Sequence, residues 1–117
     1  MPGHPMTHTR DELLALSCRQ QAAQPMGADG AAAQAQALPA WQLEGMALAR
    51  RFEFADFHQV MAFVNAVAWI AHREDHHPEI DLGYRHCALR YATHDTGGLS
   101  IKDFICAAQV DALHADG

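Results

Sequence analysis

Three imidazoles set the first question. His76 and His77 stand side by side ahead of Pro78 in REDHHPEIDLGY (73–84), and His94 follows in the tripeptide THD. A histidine exchanges a proton near neutral pH, so two of them beside one substrate can supply both an acid and a base. The residue before a proline avoids helix. His76 and His77 therefore fall at a helix end, exposed and held by a stiff turn. Beyond them Ile80, Leu82 and Tyr84 alternate with polar residues, and Cys87, Leu89, Tyr91 and Thr93 do the same. An antiparallel return of that length brings its end back beside the start of the first strand. The spacing thus predicts that His94 meets His76 and His77 at one cleft, a fair site for proton transfer. Asp75 and Asp95 flank the histidines; they can orient an imidazole by accepting its second N–H, or stay solvated.

Metal binding is the rival chemistry. His72 and His76 are four apart and share a helix face. The step reads HREDH, however, with the glutamate one place later than in the HExxH of zinc enzymes. A structural zinc wants four ligands, and no cysteine is near in sequence. No metal is assigned, and His72 reads as a solvated helix residue. The remaining histidines carry less: His4 and His8 lie in a tail, and His58, His86 and His114 are isolated and read as surface. Asp103 stands three residues after Ser100, the spacing of a helix cap. Gly97 and Gly98 supply backbone freedom.

The elements that must hold these residues follow from periodicity. Thr9 and Glu12 are spaced as a capping box, opening a short helix over about 10–20. Residues 22–38 are rich in Ala, Gln and Gly and read as a linker or insertion. Trp41–Glu44 and residues 46–54 form a hairpin turning at Glu44-Gly45. Met46, Leu48, Phe52 and Phe54 share a face that Arg50 interrupts. Asp56 caps a long helix over about 57–75, whose stripe of Phe57, Val60, Met61, Val64, Val67, Ala68 and Ala71 is widened by Phe63 and Ile70. So wide a stripe calls for a second covering surface, most simply another subunit. The second hairpin turns near Arg85-His86. Ser100 caps a last helix with Phe104, Ile105, Ala108 and Leu113 toward the core. The expected fold is α+β, in the order α-β-β-α-β-β-α: a four-stranded antiparallel sheet covered on one face by helices. An open edge on the second hairpin favours a homodimer or homotetramer.

Composition narrows the function classes. A chain of 117 residues is one domain. Its formal net charge of -6, with Lys102 as the only lysine, offers no footprint for nucleic acid or anionic membranes. No apolar run is long enough for a membrane span, and the start MPGHPMTHTRDE has no secretion pattern. Cys18, Cys87 and Cys106 are an odd, widely spaced set. They suggest packing thiols in a reducing cytoplasm rather than a disulfide framework.

HHPEIDLGY followed by THDTGGLSIKD resembles the pterin-4a-carbinolamine dehydratases. The signature comprises the double histidine and Pro78, the aromatic Tyr84, His94 and Asp103; the likeness runs back through RRFEFADF to Trp41. It covers about residues 39–114. It implies a dehydratase domain over 39–117, preceded by a tail with a short helix (1–21) and the 22–38 linker. It also implies a hydro-lyase, 4a-hydroxytetrahydrobiopterin dehydratase. This enzyme removes water from the 4a-carbinolamine to give quinonoid dihydropterin, recycling the cofactor of aromatic amino-acid hydroxylases. The pterin is the substrate and no cofactor is implied. Carried over by position, His76, His77 and His94 are the catalytic histidines, with His76 and His94 moving protons and His77 orienting the substrate. Asp75, Pro78, Thr93, Asp95 and Thr96 line the pterin pocket, and His72 and Asp103 support it from behind. The chain departs from the family pattern at His72, where a carboxylate is common, at Ala92 and at Ala40. The resemblance also implies an alternative role, since some family members also act as dimerisation cofactors of a transcription factor; a pterin-binding protein without turnover is a further alternative.

Overall fold

The computed structural model describes residues 7–116, so His4 lies outside them. Thr9 accepts from the Glu12 amide while the Glu12 carboxyl accepts from the Thr9 amide, and this capping box opens helix α1, Arg10–Leu14. The helix is shorter than expected. Cys18 is drawn out of line, its amide donating to Glu74 at 2.8 Å and its thiol to the Lys102 carbonyl at 3.4 Å. The chain re-forms only as a 3₁₀ turn, Cys18–Gln20.

Residues 22–38 are not merely a linker. They contain α2, Gly27–Ala35, with Gly30, Ala31 and Gln34 buried and Leu38 fully enclosed behind it. Alanine's helix propensity was the usable cue. The contact face is made of small residues, so it carries little hydrophobic periodicity. Gln34 secures the N-terminal segment by pairing with both backbone groups of His8, at 2.9 and 2.8 Å.

The first hairpin joins β1, Gln42–Glu44, to β2, Ala47–Glu53, through Gly45 at φ 59, a conformation glycine takes without penalty. Helix α3, Phe57–Glu74, starts at Asp56, whose carboxylate accepts from the Gln59 amide at 2.9 Å. The second hairpin joins β3, Glu79–Leu82, to β4, His86–Tyr91, and α4, Ile101–Asp116, closes the chain. All strands are antiparallel in the order β1-β2-β4-β3, with Leu48 opposite Tyr91, Phe52 opposite Cys87 and Ile80 opposite Leu89. The element order is the expected one with α2 added, and His86 belongs to β4 rather than to the turn.

The core lies between the sheet and the helices. Leu48, Phe52, Cys87, Leu89 and Tyr91 meet Val60, Phe63, Val67 and Ile70 of α3 and Phe104, Ile105 and Ala108 of α4. Within α3 the inward face is thus Val60, Phe63, Val67 and Ile70, whereas Phe57 is exposed. Both flanks of that helix are apolar, so periodicity alone cannot choose between them. Arg50, the residue that interrupted the β2 face, does point inward. Its guanidinium sits 4.3 Å from the Phe52 ring centre and reaches Asp111 of α4 at 2.5 Å, while Trp41 Nε1 donates to the same carboxylate oxygen at 2.7 Å. Among the described residues no helix is long and apolar enough to cross a membrane.

Candidate active site

Three chain ends converge at one end of the sheet. Helix α3 stops where Asp75 takes a left-handed conformation (φ 54, ψ 41), and the His76 amide reaches back to the Ala71 carbonyl at 3.1 Å. The reversal delivers His76 and His77 to one wall of a cleft. Strand β4 ends at Tyr91, and the 3₁₀ turn His94–Thr96 brings His94 to the same cleft. That turn is tied by a bridge between Thr93 and Gly98, and Gly97 at φ 70 lets the chain pass on into α4. The cleft is about 230 Å³.

The histidines are not equivalent. His76 is half-buried, and its Nε2 lies 2.6 Å from Oδ1 of Asp103, a carboxyl with no solvent exposure. Its ring also lies nearly parallel to that of Tyr91, 14° between planes with centres 6.0 Å apart. Asp103 is fixed from behind: Oδ2 accepts from the Thr93 hydroxyl at 2.8 Å and from the Ser100 amide at 3.0 Å. The two hydroxyls of Thr93 and Ser100 are themselves 2.7 Å apart. His77 and His94 are exposed rings on the cleft.

The other expected site residues divide. Asp75 and Asp95 line the cleft. Thr93 lines it too, but its hydroxyl is turned to Asp103 and Ser100, so what it does is hold the carboxyl behind His76. Thr96 turns its hydroxyl to the Thr93 and Gly98 carbonyls, at 3.1 and 2.9 Å, and closes the turn rather than facing the cleft. Pro78 is buried at the start of β3, outside the lining. The ring of His72 lies against Trp69, 5.8 Å between centres, away from the cleft. His72 and His76 therefore do not meet, and among the described residues no three His, Cys, Asp or Glu side chains are arranged to hold a metal ion.

Sequence reasoning overlooked four contributors. Ser100 does more than cap the helix: its amide holds Asp103 Oδ2, and its hydroxyl braces the Thr93 hydroxyl that holds the same oxygen. Tyr91 was read as strand core, yet it backs His76. Lys102 and Ala23 also line the cleft. The S-x-x-D spacing was a signal for Ser100, since a cap carboxylate that reaches the Ser amide is held in one rotamer. Ala23 had no signal at all.

A family model described as pterin 4 alpha carbinolamine dehydratase matches residues 24–113. A protein of Chromobacterium violaceum, provisionally named pterin-4-alpha-carbinolamine dehydratase, is 47% identical over 102 residues, covering 86% of this chain and 94% of that one. One of Xanthomonas euvesicatoria with the same provisional name is 56% identical over 82 residues, 68% of this chain and 70% of its own. Among solved structures, a transcriptional coactivator/pterin dehydratase from Brucella melitensis superposes with a TM-score of 0.68 at 30% identity, over 77% of this chain and 97% of that one. A pterin dehydratase-like protein identified as a RuBisCO assembly factor in the alpha-carboxysome gives 0.53 at 28% identity, over 62% and 84%. The match begins within the segment first read as an insertion, so α2 falls inside the family's shared region. The chain belongs to the pterin-4-alpha-carbinolamine dehydratase family.

Proposed function

We propose that this protein removes water from a 4a-hydroxytetrahydropterin to give quinonoid dihydropterin, and so recycles the pterin cofactor of aromatic amino-acid hydroxylases in the cytoplasm. The observation that carries the reading is the set of three imidazoles on one cleft, one of them held at Nε2 by the fully buried Asp103. In this reaction the C4a–O bond breaks, the departing hydroxyl takes a proton and leaves as water, and N5 gives one up as the N5=C4a bond forms. Protons balance and nothing is oxidised, so the residues must hold a proton donor and a proton acceptor around one ring.

The asymmetry of the site supports a division of roles. A carboxylate only accepts, so its bond to Nε2 keeps the neutral His76 ring protonated there and leaves a lone pair on Nδ1. His76 is then the base toward N5. His94, exposed on the same cleft, delivers the proton to the hydroxyl and is recharged from water. His77 and Asp75 grip the ring edge, and Asp95 and Lys102 complete the rim. Each proton transfer contributes about 10²- to 10⁴-fold in rate.

The oligomer belongs to the same proposal. Strand β3 is a sheet edge, and Ile80, Leu82, Tyr84, Phe57 and Trp69 are all exposed, which supports a homodimer or homotetramer built through that edge and α3. Light scattering on the purified chain reads its mass directly, and a monomer at micromolar concentration would refute this part. For the reaction, carbinolamine generated in situ by a hydroxylase is followed by absorbance. Wild type accelerates its decay, and His76→Ala and His94→Ala do not, while all three have the same mass in solution. Equal acceleration by both variants would remove the assignment. Folded oligomer that binds pterin without accelerating decay would favour a binding or protein-dimerisation role.

A further inference from the structure

Residues 18–23 precede the stretch that the family model matches, yet Ala23 among them lines the cleft. They are tied down upstream at the end of α3. Arg19 donates from Nε to the Arg73 carbonyl at 2.8 Å and from Nη2 to the His72 carbonyl at 3.1 Å. Those carbonyls lie in the last turn of the helix, where intrahelical donors run out and a positive charge is favoured. Beside it Cys18 is fully buried, bonded through its amide to Glu74 and through its thiol to the Lys102 carbonyl. Downstream the Met26 amide donates to the Leu99 carbonyl at 3.0 Å, just before α4 begins. Residues 21–25 therefore form a strap fixed at both ends, running from the end of α3 to the start of α4. Those are two of the three chain ends that form the cleft, and Ala23 at the middle of the strap is part of its lining.

Resting on the dehydratase reading, we propose that this strap is a specificity wall, with Ala23 setting the size of ring substituent the cleft admits. Pterins share one fused bicycle and differ mainly in the group on C6. C6 is bonded to N5, the atom that loses its proton, so the substituent sits one bond from the reacting atoms and must pass whatever stands beside the histidines. At about 230 Å³ the cleft is smaller than the roughly 300–1,000 Å³ of sites for drug-sized ligands. A single methyl at position 23 leaves the exit open, and a large side chain there fills it. The strap cannot swing aside without breaking the Arg19 or Met26 bonds, so it discriminates by bulk rather than yielding.

The test compares two carbinolamines made in situ, one with a methyl on C6 and one with a 1,2-dihydroxypropyl group. Ala23 is exposed, so Ala23→Trp leaves the core untouched, and its thermal midpoint verifies folding. The ratio of kcat/KM for the larger substrate over the smaller is expected to fall about tenfold, mainly through KM. Adding Arg19→Ala loosens the upstream anchor, with Cys18 still held, and recovers part of the loss. An unchanged ratio in folded Ala23→Trp, or an equal fall for both substrates, overturns the specificity wall while leaving the dehydratase reading intact. Wild type that accelerates neither substrate overturns both.

Discussion

Replacing Asp103 by Asn tests the link between the buried carboxyl and His76. The change is isosteric, and the surroundings dictate how the amide must sit. Oδ2 faces the Ser100 amide at 3.0 Å and the Thr93 hydroxyl at 2.8 Å. A backbone N–H can only donate, so the Asn oxygen takes this side and its NH₂ faces His76 Nε2. That nitrogen must then accept, and the imidazole proton moves to Nδ1. The ring keeps its place and its stacking on Tyr91, but the atom offered to substrate has lost its lone pair.

Recovering the working tautomer requires turning the amide over. The Ser100 N–H would then face an NH₂, an unsatisfied buried donor worth about 1–3 kcal/mol, and the charge-assisted bond to His76 is gone, roughly 1.5–3 kcal/mol more. A sum of about 2.5–6 kcal/mol corresponds to roughly 10²- to 10⁴-fold in kcat. Stability moves little, because both bonds on the Ser100 side survive; a loss below about 1.5 kcal/mol is expected. Stopped-flow decay of the carbinolamine gives kcat, denaturant unfolding gives the stability, and imidazole ¹⁵N shifts report which nitrogen of His76 carries the proton. A kcat within about threefold of wild type, in protein whose ¹⁵N shifts show the inverted tautomer, would refute the reasoning.

Three further changes probe the frame. The Tyr91 hydroxyl is buried with no hydrogen-bond partner among the described residues, so Tyr91→Phe should leave stability unchanged or raise it by about 1 kcal/mol in urea unfolding. Asp111→Ala strands the inward Arg50 and the Trp41 N–H together, and should lower stability by about 3 kcal/mol. Burial works against ionising Glu74, but the Cys18 amide, Arg73 and Gln109 outweigh it and hold the carboxyl below its ordinary 4.5. A depressed folded-state pKa contributes stability above the unfolded value, and that stability is lost as pH falls through the folded value. The stability gap between wild type and Glu74→Gln should therefore be widest near about pH 7 and close below about pH 4.

The fold was legible wherever pattern and local chemistry agreed. Thr9 and Asp56 cap the helices their side chains announce, and the alternation in β2 and β4 carries the core. What escaped was set by tertiary contacts. Helix α2 packs through Gly30 and Ala31, which leave almost no hydrophobic signature. Arg50 broke a clean strand face because its partner, Asp111, stands 61 positions away. In the site, the meeting of His94 with His76 and His77 followed from hairpin length alone. The burial of Asp103, the turn of the Thr93 hydroxyl away from the cleft and the presence of Ala23 did not, since each depends on how α4 and the N-terminal segment dock.

Adjacent residues need not share an environment, and the end of α3 shows why that matters here. Glu74 is buried as the last residue of the helix, held by Cys18 and Arg73. Asp75 then reverses the chain, and Pro78 limits the backbone that follows. Between these constraints His76 turns inward to Asp103 and Tyr91, and His77 turns out to solvent. Two identical side chains thereby acquire different surroundings: one ring is held at Nε2 by a buried carboxyl and shielded from behind by Tyr91, and the other is exposed. In the proposed reaction that inequality separates their tasks, His76 taking the N5 proton and His77 gripping the ring edge. It comes from a helix terminus clamped on both sides, by α4 through Asp103 and by the N-terminal segment through Cys18 and Arg19. Loosening either clamp should therefore blur the difference between the two histidines before it unfolds the domain.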